Sequence, residues 1–149
     1  MNHDDKIHWY YNGTQKTHGT DLGKRVVVIS RATWRLDGFV SLDAGPERGV
    51  VETVPLRIPA SQLEINTDAA SGSIRVAVLT ADRQVQAGLS AVECQPMAGD
   101  SVRHSVRWAG KVLTQAQQLS RLQFLMENVN LYALRLKLLS GRRVRGIRT

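Results

Sequence analysis

The chain has 149 residues, 42% of them apolar and 22% charged, a composition that suits one globular domain. None of its apolar runs approaches the roughly 20 residues that would cross a bilayer as a helix. The net charge of +7 suggests nucleic acid, but Lys137, Arg142, Arg143, Arg145 and Arg148 carry five of those charges in a segment with no acid and no aromatic residue. The body keeps only about +2, so the expectation is a basic tail over 139–149 that grips polyanions weakly, with no specific nucleic-acid partner and no membrane partner.

The opening Met-Asn-His-Asp-Asp-Lys is polar and lacks the basic, apolar and small-residue succession of a secretory signal, which leaves the compartment open. Cys94 is the single cysteine; it reads as a small buried apolar side chain, not half of a disulfide.

Period-two alternation, one set of side chains inward and the other in water, is the dominant signal and predicts strands. In chain order these are Ile7–Tyr11, Arg25–Ile29, Thr33–Leu36, Phe39–Leu42 and Glu52–Ile58, the last with Pro55 marking an edge or bulge. Gln62–Asn66, Ile74–Val78 and Gln84–Leu89 follow, then Val102–Trp108, which aligns Val102, His104, Val106 and Trp108 on one face. Leu122–Met126 and Leu131–Leu136 close the series. Between residues 113 and 126 two patterns compete. Ala116, Leu119, Leu122 and Met126 fit one face of a helix, whereas Leu122, Phe124 and Met126 alternate; the preferred reading is a turn over 113–119 followed by a strand.

Turns are expected at Asp37-Gly38, Asp43–Pro46, Asp68–Gly72, Ala81–Arg83, Ala98–Asp100 and Ala109-Gly110, where glycine takes positive φ and aspartate bonds its own backbone. Turns about ten residues apart, with no long amphipathic helix between strands, predict an all-β fold: a two-sheet antiparallel β-sandwich. No internal repeat or interdomain linker is visible.

A family resemblance runs from Trp9 to about Leu136. Trp9-Tyr10-Tyr11-Asn12-Gly13 followed by His18-Gly19 resembles the closing strand of the five-bladed propeller in invertase- and arabinanase-like glycoside hydrolases, where the chain leaves for its C-terminal sandwich. Arg35-Leu36-Asp37-Gly38-Phe39-Val40-Ser41-Leu42-Asp43-Ala44-Gly45 is similar to the opening of that sandwich in bacterial proteins of this kind. Leu63-Glu64-Ile65-Asn66, Ile74–Leu79, Ala87–Ser90, Gly99-Asp100-Ser101, Val106–Gly110 and Asn130–Leu134 then follow in the module's order. The resemblance implies a lectin-like, concanavalin-type jelly roll over 20–138, preceded over 1–19 by an extension and a strand that resembles a propeller exit. It also implies a glycosidase propeller as a partner. The catalytic carboxylates of those hydrolases belong to the propeller, so no matching acid is carried over.

Residue chemistry agrees with a non-enzymatic reading. A glycosidase needs two carboxylates facing one sugar, and Asp37, Asp43, Asp68, Asp82 and Asp100 read as turn formers. His3, His8, His18 and His104 show no metal-ligand spacing, and no Gly-rich phosphate loop or Ser-centred elbow occurs, so no cofactor is expected. His104 reads as a core histidine with one backbone partner. Carbohydrate binding is the positive expectation, because sugars stack on Trp or Tyr and bond to Asp, Asn or Arg. The candidates are Trp34 with Arg35 and Asp37, or the cluster of Trp9 and Tyr11; the competing and preferred reading makes Trp34, Trp108, Phe39, Phe124 and Tyr132 core residues. A stand-alone protein-interaction or structural module that has lost sugar chemistry, homo-oligomeric through an uncovered sheet edge, is the alternative.

Overall fold

The computed structural model describes residues 2–3, 5–15, 23, 26–58, 62–109, 111–113 and 119–137. Among these the fold is all-β, every strand pairing is antiparallel, and no α-helix occurs. The basic segment 139–149, His18-Gly19 and most of the turn expected before residue 119 lie outside the described residues. The chain divides into two compact units, Met1–Phe39 and Val40–Thr149.

The first unit is a narrow ribbon. β1 (Asn2–His3) pairs with β2 (Lys6–Thr14) around Asp5, which takes a left-handed φ of 58°, and β2 pairs along its whole length with β3 (Val27–Arg35). The two stretches expected as separate strands, Arg25–Ile29 and Thr33–Leu36, contribute Val27–Ile29 and Thr33–Arg35 to this single β3, which continues unbroken through Ser30-Arg31-Ala32; Arg25 lies outside the described residues. A turn closes after it as expected: Gly38 N donates to Arg35 O at 3.1 Å and Asp37 adopts φ 52°.

The second unit is a seven-stranded sheet in the order β4-β10-β7-β9-β5, with β6 on β9 and β8 on β7. Its members are β4 (Leu42–Ala44), β5 (Gly49–Glu52), β6 (Leu56–Arg57), β7 (Gln62–Thr80), β8 (Met97–Ser105), β9 (Leu119–Glu127) and β10 (Val129–Lys137). The 19-residue β7 organises it. Its second half pairs with β9, from Ser73 opposite Glu127 to Thr80 opposite Ser120, and its first half pairs with β10, from Asp68 opposite Asn130 to Gln62 opposite Lys137. β9 and β10 thus run as one antiparallel partner, interrupted only by Asn128.

A straight ribbon of that length would span about 60 Å, yet both halves line one core. It therefore bends. Leu63, Ile65 and Ala69 face the core from the first half, whereas Ile74, Val76 and Val78 do so from the second, so inward positions change from odd to even between 69 and 74. On the partner strand the same change separates Ser120, Leu122, Phe124 and Met126 from Val129 and Leu131. Left-handed residues take up the irregularity on both flanks: Asn128 at φ 49° and, in β8, Gly99 at φ 84°. Gly72 is required at the bend, because a Cβ there would lie 1.8 Å from the carbonyl oxygen of Glu127.

This bend corrects two sequence expectations. Asp68–Gly72 and Ala98–Asp100, expected as chain-reversing turns, are bulged interiors of β7 and β8; small residues and positive φ serve a bulge as well as a reversal. Two further differences are local. Glu52–Ile58 divides around Pro55 into β5 and β6, and Gln84–Leu89 is a turn segment laid on β7 through Val78 N to Leu89 O at 2.8 Å. The alternating reading of 122–126 is the one the fold adopts, within β9.

Candidate functional site

The aromatic residues expected to meet a sugar meet on the ribbon. Residues directly opposite each other across two strands share a face, so the register Ile7 to Trp34, Trp9 to Ala32 and Tyr11 to Ser30 places Trp34, Trp9 and Tyr11 on one side. All three are open to solvent, at 42%, 61% and 50% exposure. The two alternative clusters read from the sequence are one stripe. Arg35 stands opposite Lys6 on the other face, and its side chain lies where a Cβ on Gly38 would fall, 2.6 Å from Arg35 Cβ. Asp37 is in the turn beyond. Trp34, Arg35 and Asp37 are therefore neighbours in sequence that do not share one face. The second face of the ribbon is mainly polar, with Lys6, His8, Asn12, Arg31, Thr33 and Arg35 around the exposed Tyr10, Val27 and Ile29.

The other Trp in a strand pattern is core. Trp108 is 6% exposed and its Nε1 donates to Val76 O at 2.9 Å, as expected from its face. His104 Nε2 lies 3.2 Å from Gly99 O, the single backbone partner expected of it. Cys94 is buried; Val76 N donates to its Sγ at 3.3 Å, and desolvation holds the thiol above its ordinary pKa in spite of that bond and Arg75.

Of the acids read as turn formers, Asp82 lies in a turn, and Asp68 Oδ1 accepts from Ala70 N at 3.0 Å. Asp43 and Asp100 are in strands. Asp43 Oδ1 accepts from Asn130 Nδ2 at 2.6 Å, and hydrogen bonds from Ser41 and Asn130 hold its carboxyl below the usual range. Among the described residues no three His, Cys, Asp or Glu side chains are grouped to hold a metal ion.

Two polar arrangements escaped the sequence reading. Glu64, on β7, is 6% exposed; Lys137 Nζ donates to its Oε1, and Arg135 Nη1 lies 3.7 Å from Oε2. Lys137, counted with the tail in sequence, thus belongs to β10 and neutralises a buried carboxylate.

The second arrangement is a hollow of about 380 Å³ on the outward side of β5, β9 and the second half of β7. Ser73 lies opposite Glu127, with Arg48 beside them one residue before Gly49, the partner of Met126; one step along, Arg75 lies opposite Leu125. The rim is the turn over Ser90–Glu93. Glu93 Oε2 accepts from Ser90 Oγ at 2.7 Å and from Ser90 N at 3.0 Å, bonds that draw its carboxyl below the usual range. Arg75 Nη1 donates to Cys94 O at 2.9 Å and reaches Ala91 O and Val92 O at 3.4 and 3.5 Å, which fixes both the turn and the guanidinium. Four separate segments build this hollow, so no local motif announces it.

Comparison with known proteins finds no family model, no curated protein and no solved structure that matches this chain.

Proposed function

We propose that the chain is a non-catalytic accessory module related to the glycoside hydrolases of the five-bladed-propeller kind. In this reading the seven-stranded unit is a two-sheet, concanavalin-type jelly roll, and the β1–β3 ribbon packs on a catalytic propeller, with weak carbohydrate binding as an accompanying property. The observation that carries it is the ribbon's composition. Trp9, Tyr11 and Trp34 on one face and Tyr10, Val27 and Ile29 on the other are all exposed. The face of Trp9 and Tyr11 continues through Ile7, Val28, Ala32 and Trp34, whereas the other is mainly polar; so narrow a ribbon is marginal in water by itself, and one continuous exposed apolar face is what it carries when another sheet covers that side, as a neighbouring blade does in a propeller. The ordered resemblance of Trp9–Gly13 and of Arg35–Gly45 to the junction between propeller and sandwich supports the same reading.

Hydrogen exchange on the purified chain tests it. The amides of β2 and β3 should exchange orders of magnitude faster than those of β7 and β9, and should slow when a five-bladed glycosidase propeller lacking its own closing strand is added. Ribbon amides as slow as those of β7 in the monomer would refute the need for a cover. The chain should also hydrolyse neither aryl glycosides nor fructans. Among the described residues β3 has a paired neighbour on one side only, and protection of the ribbon that rises with the chain's own concentration would favour the second reading, a homo-oligomeric interaction module.

A further inference from the structure

We propose that the hollow lined by Arg48, Ser73, Arg75, Val92, Leu125 and Glu127 binds a sugar ring that carries a carboxylate, a uronic acid; the proposal rests on the accessory, carbohydrate-associated reading above. Its volume of about 380 Å³ is within the range of small-ligand sites and admits one ring with its substituents.

Charge gives the ligand its sign. Among the lining residues two guanidinium groups stand beside one carboxylate, that of Glu127, so the lining carries a net positive charge, and the Glu93 carboxylate on the rim is engaged by Ser90. Arg75 is already immobilised: every hydrogen bond it makes to the described residues runs through Nη1 to the carbonyls of Ala91, Val92 and Cys94. Its Nε and Nη2 edge has no protein acceptor there, and that planar pair of donors matches the two oxygens of a carboxylate. Because the group is held before the ligand arrives, little rotamer freedom remains to be lost on binding.

The rest of the hollow suits a pyranose. Leu125, opposite Arg75 on the sheet, and Val92 on the rim offer an apolar surface for the C–H face of the ring. The row formed by Ser73, Glu127 and Arg48 lies two residues along, about 7 Å away at the rise of a strand. It presents a hydroxyl, a carboxylate and a guanidinium, the mixed acceptors and donors that vicinal hydroxyls need. Arg48 and Glu127 form no ion pair with each other or with any described residue. A ring with its carboxylate on Arg75 thus places its far hydroxyls on that row.

Calorimetric titration of the full chain with trigalacturonate, and with the neutral galactotriose as its comparison, decides the matter. Trigalacturonate should bind in the high-micromolar to millimolar range, at least about tenfold more tightly than galactotriose. Arg48→Ala, at an exposed residue, should leave the melting temperature unchanged and weaken trigalacturonate binding about fivefold or more. Dependence on Arg48 also separates this site from the cations at 142–148, which would bind a polyanion whatever stands at 48. Glu127→Gln should keep the fold and alter affinity for both trisaccharides. Equal affinity for the two, unchanged trigalacturonate binding in Arg48→Ala, or no heat with either at about 10 mM would overturn the proposal. None of these results touches the exchange experiment on the ribbon. Conversely, a ribbon protected in the monomer would remove the accessory reading and leave Arg48-dependent binding standing.

Discussion

The ribbon and the seven-stranded unit use the same local grammar, alternating strands joined by Asp and Gly turns, and reach opposite results. In the second unit the alternation resolves into an inside and an outside: Leu122, Phe124 and Met126 are buried while Arg121, Gln123 and Leu125 between them are not. In the ribbon it resolves into an apolar face, with Trp9, Tyr11, Val28 and Trp34, and a mainly polar one, with Lys6, Asn12, Arg31 and Thr33, and both are exposed. Alternation therefore reports that a strand exists, and only the count of neighbouring layers reports which of its faces is buried. A sheet completes its own core when a long strand such as β7 folds over; a two-stranded ribbon has nothing to fold over.

The contrast is sharpest in its two tryptophans. Trp108→Ala would leave a cavity in the core and remove the donor to Val76 O, and should cost about 3–5 kcal/mol in chemical denaturation. Trp34→Ala should cost less than about 1 kcal/mol, because 42% of the residue already meets solvent. Equal losses would break the distinction between the two units.

A smaller effect is expected where the seven-stranded unit bends. Gly72→Ala forces a methyl group against the Glu127 carbonyl and should destabilise by about 1–3 kcal/mol or more, whereas Gly45→Ala meets open space and should stay within about 0.5 kcal/mol. A neutral Gly72→Ala would mean that the bend relaxes more easily than close packing of backbone allows.

The smallest effect concerns the turn at the rim of the hollow. Glu93 is held below its ordinary pKa by Ser90, so its contribution is present above the unfolded-state pKa and is lost as pH falls through the lower folded-state value. Acidification should therefore loosen residues 90–94 before the core, visible as a fall in the protection factor of the Cys94 amide, which donates to Ser90 O, relative to the intrinsic exchange rate at each pH. Glu93→Gln should remove that pH dependence and leave β2 and β3 unaffected. Cys94, buried and with its thiol pKa raised, should react with iodoacetamide only as fast as this turn opens.

Strand identity was legible in the sequence because inward side chains such as Leu63 and Ile65 on β7 and Leu122 and Phe124 on β9 alternate with polar or less buried neighbours. Trp108 was legible from its face, whereas His104, read as core, is only half-buried although it has the one backbone partner expected of it. The bulges were not, since Asp68–Gly72 and Ala98–Asp100 contain the residues that a reversal also uses, and the choice between bend and reversal depends on the partner strands. The aromatic stripe was half legible: the sequence singled out Trp9, Tyr11 and Trp34, but only the register of β2 with β3 puts them on one face and sends Arg35 to the other. The hollow around Arg75 was invisible, because Arg48, Arg75, Val92 and Glu127 are far apart in the chain and each alone looks like an outward strand or turn residue.

The shared strand β7 also sets the order in which the molecule can be made. β8 can pair with it early, but its residues meet β9 and β10 only when residues 119–137 are available, Thr80 with Ser120 at the near end and Gln62 with Lys137 at the far end. Such distant pairings place folding on the order of milliseconds to seconds, the slow end for small domains. During synthesis β7 leaves the ribosome with only β8 to pair with, and its other edge, along Leu63, Ile65, Val76 and Val78, stays open until the closing strands emerge. That interval is when the nascent chain is most open to pairing with the wrong strand or with another copy of itself.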